Sequence, residues 1–207
     1  MTAAPSPLHY LALGDSYTIG EAVSAEARWP AVLVERLRRA GVAIDDPHIV
    51  AVTGWTTDEL AQGMDDASLT PAHDLVTLQI GVNNQYRGRS AEDYRSEFAS
   101  LLARAIALAG NRPERVVAVS IPDWGVTRFA REQGRDPATI AAALDAFNEI
   151  AREQAHRAGA HFVDITPVSR RHPELLADDG LHPSAAQYAL WVEAILPVVR
   201  KALGLAP

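Results

Sequence analysis

Five short apolar runs recur along the chain, each followed by a stretch with helical spacing: Leu8–Leu13, His48–Val52, Leu75–Ile80, Val116–Ile121 and His161–Ile165. They are rich in Val, Ile and Leu and show little of the alternation that a half-exposed strand carries. Continuous runs of this kind predict strands covered on both faces, and that requires crossover helices between parallel neighbours. Few folds satisfy the pattern. Strand and helix alternating five times predicts a doubly wound α/β sandwich with a mostly parallel sheet.

The intervening segments carry helix start and stop signals. Arg28–Ala40 has Val32, Leu33 and Leu37 at helical spacing. Thr56 and Glu59 form a capping-box pair ahead of Leu60. Ser90 and Asp93 resemble one, opening a helix that bears Tyr94, Phe98, Leu101, Leu102 and Ile106. Asp136-Pro137 supplies an N-cap and a first-turn proline before Ile140, Leu144, Phe147 and Ile150, and Gly159 closes that helix. Ser184 and Gln187 start the last helix, with Tyr188, Trp191, Val192 and Ile195 inward. Pro122–Arg135 shows no clear helical start and reads as a long loop, which in a compact domain is more often functional than idle. At 207 residues the expectation is one domain over 1–207, with residues 1–7 a flexible tail.

Composition removes several kinds of chemistry. Cysteine is absent, which excludes thiol nucleophiles, disulfides and cysteine-ligated metals. The net charge of −7 argues against a nucleic-acid partner, which calls for a basic face. Lys201 is the only lysine, so Schiff-base chemistry has almost nowhere to sit. The glycine fingerprints of dinucleotide and nucleoside triphosphate sites, the H-E-x-x-H zinc motif and the G-x-S-x-G nucleophile elbow are all missing. Residues 1–7 lack the basic start and apolar run of a signal peptide, and no uncharged apolar stretch approaches the ~18 residues that span a bilayer. No membrane partner and a cytoplasmic location are therefore expected. The oligomeric state stays open.

In sandwiches of this type ligands bind beyond the carboxyl ends of the strands, so chemistry belongs just after them. The first run leads directly into Gly14-Asp15-Ser16-Tyr17. A serine there exposes its hydroxyl and turns its N–H into the crevice, and it becomes a nucleophile once a base takes its proton. The same residues also suit a plain capped turn. The spacing D-x-x-H occurs twice, at Asp45/His48 and Asp179/His182. His48 opens the second run, at the amino end of the sheet. Asp179 and His182 follow the fifth run, in a loop entering the last helix. A histidine there can lean over the carboxyl edge, and a carboxylate three residues earlier can accept its Nδ1–H and fix the tautomer. Alone, His182 reads as a loop histidine before a helix.

The second run ends in Val52-Thr53-Gly54-Trp55, where a glycine lets a backbone N–H approach a substrate. The third ends in Gly81-Val82-Asn83-Asn84, where the Asn83 amide can donate to a developing oxyanion, as can the Ser16 N–H. Each is also explained by ordinary turn chemistry. Four strand ends carrying four parts of one acyl-transfer apparatus favour catalysis.

Taken together and in order, Gly14-Asp15-Ser16-Tyr17, Gly54, Gly81-x-Asn83 and Asp179-x-x-His182 resemble the four blocks of the SGNH hydrolases, also called GDSL esterases/lipases. The blocks run from Gly14 to His182, most of the chain. The resemblance implies a flavodoxin-like three-layer α/β/α sandwich around a five-stranded parallel sheet of order 2-1-3-4-5, and a serine ester hydrolase needing neither metal nor organic cofactor. It implies Ser16 as nucleophile, His182 as base and Asp179 as its orienter. The Ser16 N–H, the Gly54 N–H and the Asn83 side chain would form the oxyanion hole. One departure stands out: the third block is usually Gly-x-Asn-Asp, and here Asn84 takes the place of the aspartate. The oxyanion asparagine is kept, so the expected change is in how the loop is supported, with Gln85-Tyr86-Arg87 in a different role.

Specificity is less legible. Trp55, Tyr86, Trp124 and Phe129 lie near the strand ends and are expected to line an acyl pocket, Trp124 above all, although packing against a helix explains each equally well. Arg87, Arg89, Arg128 and Arg131 either steer an anionic substrate or are plain solvated loop residues, the second being favoured. The expected substrate is a small short-acyl ester, acetylated sugars included. The alternatives are a thioesterase or lysophospholipase, an acyltransferase, and a silent binding module on the same fold. A silent relative should have lost Ser16, His182 or Asn83, and none is lost here.

Overall fold

The computed structural model describes residues 6–205. The expected tail over residues 1–7 lies, for residues 1–5, outside that range. The five apolar runs form five strands: β1 (Tyr10–Gly14), β2 (His48–Ala51), β3 (Leu75–Gln79), β4 (Val116–Val119) and β5 (His161–Val163). They make one sheet in the order β2-β1-β3-β4-β5, and every neighbouring pair is parallel. The two strands beside Gly14 reach the same level, since Gly14 pairs with Ala51 on one side and Gln79 on the other. β1, β3 and β4 are buried along their whole length, which is why their sequences are unbroken apolar runs.

The long helices begin and end where the caps place them. α2 (Trp29–Arg39) and α9 (Ala185–Ala202) pack on each other, while α3 (Thr57–Asp66), α5 (Ala91–Leu108) and α7 (Pro137–Ala158) form a contiguous row. Right-handed crossovers dictate this division, because β1 connects toward one edge of the sheet and the later strands toward the other. Asp136 accepts from the Ala138 and Thr139 amides at the start of α7, and Gly159, with φ of 77°, ends it in the left-handed region. Ser90 and Ser184 cap α5 and α9 through Asp93 N–H and Gln187 N–H. The core holds Trp29, Trp191, Tyr94, Tyr188 and Phe98, each essentially sealed from solvent. Each apolar side chain of this size contributes roughly 1.5–3 kcal/mol on burial.

The carboxyl edge of the sheet is tied by buried amides. Gln79 accepts from Trp29 Nε1 at 3.1 Å and donates to the Ser120 carbonyl at 3.1 Å. Asn148 brackets Ile121, accepting its N–H at 2.8 Å and donating to its carbonyl at 3.1 Å. Short helices follow the strands at this edge: α1 (Ser16–Ile19), α4 (Val82–Tyr86), α6 (Arg128–Glu132) and α8 (Thr166–Arg171). α6 corrects the reading of Pro122–Arg135 as a loop without helix. A 3-10 turn over Trp124–Val126 leads into α6, and Thr127 Oγ1 caps it by accepting from Ala130 N–H at 3.2 Å. Among the described residues, no helix is long and apolar enough to cross a membrane.

Candidate active site

Ser16 opens α1 directly after β1. The turn that presents it is crowded: a Cβ on Gly14 would lie 2.1 Å from Thr18 Oγ1 and 2.6 Å from the Gln79 carbonyl, so the position requires glycine. Asp15 is extended and caps α1 by accepting from Tyr17 N–H at 3.1 Å. Its carboxyl is sealed from solvent, and burial pushes its pKa up to about 7 against the pull of those amide bonds.

Asp179 and His182 sit in the loop between α8 and α9. An isolated bridge between Leu176 and Pro183 and the Ala177 N–H bond to the His182 carbonyl at 2.8 Å close that loop. His182 Nδ1 meets Asp179 Oδ2 at 2.6 Å, and Asp179 Oδ1 accepts from the N–H groups of Leu181 at 2.9 Å and His182 at 3.0 Å. Partial burial raises the Asp179 pKa, but the bonds from the imidazole and the two amides outweigh it and hold the carboxyl below its ordinary range. With Nδ1–H committed to a carboxylate, Nε2 is left as the acceptor. The Tyr17 ring stands edge-on to the imidazole, centroids 5.7 Å apart.

Gly54 follows β2 with φ of +89°, a conformation that favours glycine. Asn83 lies in the first turn of α4, entered through Gly81 at φ of +127°, where a Cβ would press to 2.6 Å from the Tyr94 ring. One Asn83 amide hydrogen goes to the Trp55 carbonyl at 2.9 Å, leaving the other unused by that bond. Asn84 is fully buried and does not line the cavity that Asn83 lines. Its Oδ1 accepts from Thr57 N–H at 3.1 Å, and its Nδ2 donates to Thr57 Oγ1 at 2.6 Å and to Glu97 Oε2 at 3.2 Å.

Ser16, Tyr17, Gly54, Asn83 and His182 all line one cavity of about 200 Å³. Its far wall is apolar: Val82, Tyr86, Trp124, Phe129 and Leu181. Trp124 is held by Nε1 donating to Gln85 Oε1 at 2.8 Å and by edge-on rings of Tyr86 and Phe129, with centroids 5.3 and 6.5 Å away. Buried Asp123 anchors the preceding turn, accepting from Gly125 N–H at 2.9 Å and from Arg170 Nε at 2.8 Å.

The structure therefore brings together Ser16, Gly54, Asn83, Asp179, His182, Tyr86 and Trp124. It does not bring Trp55 to the cavity. That ring lies across α3, where a Cβ on Gly63 would meet it at 2.1 Å, so the glycine eight positions later was the signal for its location. The four arginines are engaged within the protein: Arg87 with the Gly54 carbonyl and Glu59, Arg89 with Asp58, Arg128 with the Asp178 carbonyl and Arg131 with the Val126 carbonyl. His48 starts β2 at the opposite edge, and Asp45 pairs with His9 Nδ1 at 3.2 Å instead. Among the described residues, no group of three or more His, Asp or Glu side chains is arranged to hold a metal ion. A hydroxyl, an imidazole bonded to a carboxylate and an asparagine amide around one small cavity suit acyl transfer.

The fold is shared widely. TesA superposes with a TM-score of 0.74 at 18% identity, covering 94% of this chain and 99% of its own. The lipase/acylhydrolase from Enterococcus faecalis gives 0.71 at 22% identity, covering 95% and 96%. The W215I form of Axe2, an acetyl xylan esterase from Geobacillus stearothermophilus, gives 0.69 at 19% identity, covering 94% and 95%. No curated protein matches the chain in sequence. The model of the GDSL-like Lipase/Acylhydrolase family matches residues 12–190, a span that contains every strand but the first two residues of β1 and reaches into α9. The chain belongs to the GDSL-like Lipase/Acylhydrolase family and is a carboxylic ester hydrolase.

Proposed function

We propose that the protein hydrolyses short-acyl esters by a Ser16–His182–Asp179 mechanism, with the Ser16 N–H, the Gly54 N–H and the Asn83 side chain as oxyanion donors. The observation that carries this reading is the 2.6 Å contact between His182 Nδ1 and Asp179 Oδ2, in a histidine that lines the same cavity as Ser16. His182 Nε2 takes the Ser16 hydroxyl proton as Oγ attacks the ester carbonyl. The carbonyl oxygen becomes an oxyanion among the three donors, each worth roughly 3 kcal/mol of barrier in comparable sites. The tetrahedral intermediate collapses, the C–O bond to the alcohol breaks, and the alcohol leaves with the proton from His182. Water then attacks the acyl-enzyme, giving its proton to His182. The second collapse releases the acid and returns the proton to Ser16. Only a neutral imidazole can accept the Ser16 proton.

The small apolar cavity supports a short acyl group. Trp124 and Tyr86 are proposed to bound it, and Trp55 is not included. Acetylated sugars are proposed as substrates because acetyl xylan esterases are among the similar structures.

The test is hydrolysis of p-nitrophenyl esters from acetate to octanoate by wild type and by Ser16→Ala. Wild type is expected to turn over the acetate and butyrate best, and the variant to fall to background. Retained activity in a folded Ser16→Ala protein would overturn the mechanism. A preference rising steadily to octanoate would overturn the short-acyl assignment.

A further inference from the structure

The loop after β2 and helix α4 are bound to each other by more bonds than packing requires. Arg87, at the end of α4, donates from Nη2 to the Gly54 carbonyl at 2.7 Å and from Nη1 to Glu59 Oε1 at 3.3 Å. Glu59 also accepts from Thr56 N–H at 2.8 Å, closing the start of α3. Asn83 holds the Trp55 carbonyl, and Asn84 holds both the amide and the hydroxyl of Thr57. The Thr57 hydroxyl in turn donates to Glu97 on α5, which also accepts from Asn84 Nδ2. The Gly54 carbonyl, the Trp55 carbonyl and the Thr57 amide are thus each fixed by a side chain of α4 or of the residue ending it. On the other flank, the Thr53 hydroxyl donates to Glu21. A glycine at φ of +89° has no side chain of its own to hold it, so its N–H direction depends on such outside ties.

We propose that Asn84, Glu97 and Arg87 are positioning residues that hold the Gly54 loop against α4, so that the Gly54 N–H and the Asn83 amide are aligned before substrate arrives. The inference rests on the reading of Gly54 and Asn83 as oxyanion donors. It also gives a physical reason for asparagine at position 84. The site must accept from Thr57 N–H and donate toward Glu97 at once, and an amide does both. An aspartate would keep the first bond but set a second carboxylate against Glu97 at about the same 3.2 Å, with one hydroxyl hydrogen, that of Thr57, to share. Like charges so close disfavour each other strongly. Asn84 and Glu97 therefore form a matched pair: asparagine here goes with a carboxylate at 97, and aspartate would go with an amide.

The pairing makes a double variant the decisive test. Turnover and KM on the best ester of the series are measured for wild type, Asn84→Asp, Asn84→Asp with Glu97→Gln, Arg87→Met and Ser16→Ala, each checked for folding by circular dichroism and melting temperature. Displacement of an oxyanion donor by a fraction of an ångström to 1 Å lowers turnover by roughly 10- to 100-fold. Asn84→Asp and Arg87→Met are expected to lose turnover in that range with KM little changed. Adding Glu97→Gln is expected to return Asn84→Asp most of the way, because the amide introduced at position 97 donates to the new carboxylate. A purely structural role would move melting temperature without this split between turnover and KM. Wild-type turnover in both Asn84→Asp and Arg87→Met, with Ser16→Ala at background, sinks the inference and leaves the mechanism standing. A double variant as slow as Asn84→Asp also sinks it. So does a loss confined to KM. Activity persisting in Ser16→Ala brings down the mechanism itself. If Asn84→Asp fails to fold, Arg87→Met decides, since that side chain is 43% exposed and its removal leaves the core intact.

Discussion

Trp124 is fixed on three sides: an amide holds its indole nitrogen, and Tyr86 and Phe129 meet its ring edge-on. Tyr86 is steadied in turn by the Arg135 guanidinium, 5.6 Å from its ring centroid. Under the proposed function, a wall so constrained would limit acyl length rather than adapt to it. Trp124→Ala is accordingly expected to shift the p-nitrophenyl preference toward hexanoate and octanoate while lowering stability by about 3–5 kcal/mol, the usual range for truncating a buried tryptophan. An unchanged chain-length profile would mean that the ring does not bound the acyl site. At this scale the sequence was most readable where the partners are near neighbours: Asp179 and His182 are three residues apart, and Ser16 follows a strand directly. It was least readable for Asn84, whose partners Thr57 and Glu97 lie 27 and 13 residues away and meet it only because α3, α4 and α5 come together in the fold.

α3 shows how an element can be shaped by what lies across it. Gly63 sits inside this helix, where glycine costs about 1 kcal/mol relative to alanine. The compensation is the Trp55 ring, which occupies the space a Cβ would fill, 2.1 Å from the ring's outer carbon. Trp55 belongs to the same loop as Gly54, so the contact couples helix to loop. Gly63→Ala is therefore expected to forgo the ordinary gain in helix stability, to lower the melting temperature and to reduce turnover by displacing Trp55. A higher melting temperature with full activity would show that the ring moves away freely. The elements with strong end signals were legible throughout: Asp136-Pro137 and Gly159 bound α7, and Ser184 opens α9. α4, α6 and α8 span only a turn or so each, too short for a helical period to register. Thr127, a lone cap with no glutamate three residues on, was the one mark of α6.

An all-parallel sheet gathers the ends of all its strands at one edge, which is how residues from Ser16 to His182 come to share a cavity of about 200 Å³. Such gathering seals some ionisable groups beside the cavity, and the pH dependence of the whole molecule follows. Asp15 is the clearest case, with its carboxyl raised from 3.8 to about 7 by burial. Between about pH 4 and 7 the unfolded chain has released this proton while the folded chain keeps it. The folded state then binds more protons, so stability falls as pH rises through this interval. Asp58, lowered to about 2 by Arg89 and Thr56, and Asp179 act in the opposite sense: their contribution is present above about pH 4 and is lost as pH drops through their folded values. The acid side is thus set by paired carboxylates and the neutral side by Asp15. Asp15→Asn keeps an oxygen to accept from Tyr17 N–H and removes the buried charge. Urea unfolding at intervals from pH 4.5 to 8 is expected to show the variant gaining on wild type as pH rises, by on the order of a few kcal/mol across the range. A difference between the two proteins that stays flat with pH would mean that the Asp15 carboxyl is ionised in the folded state from the start, its charge carried by the amides of α1.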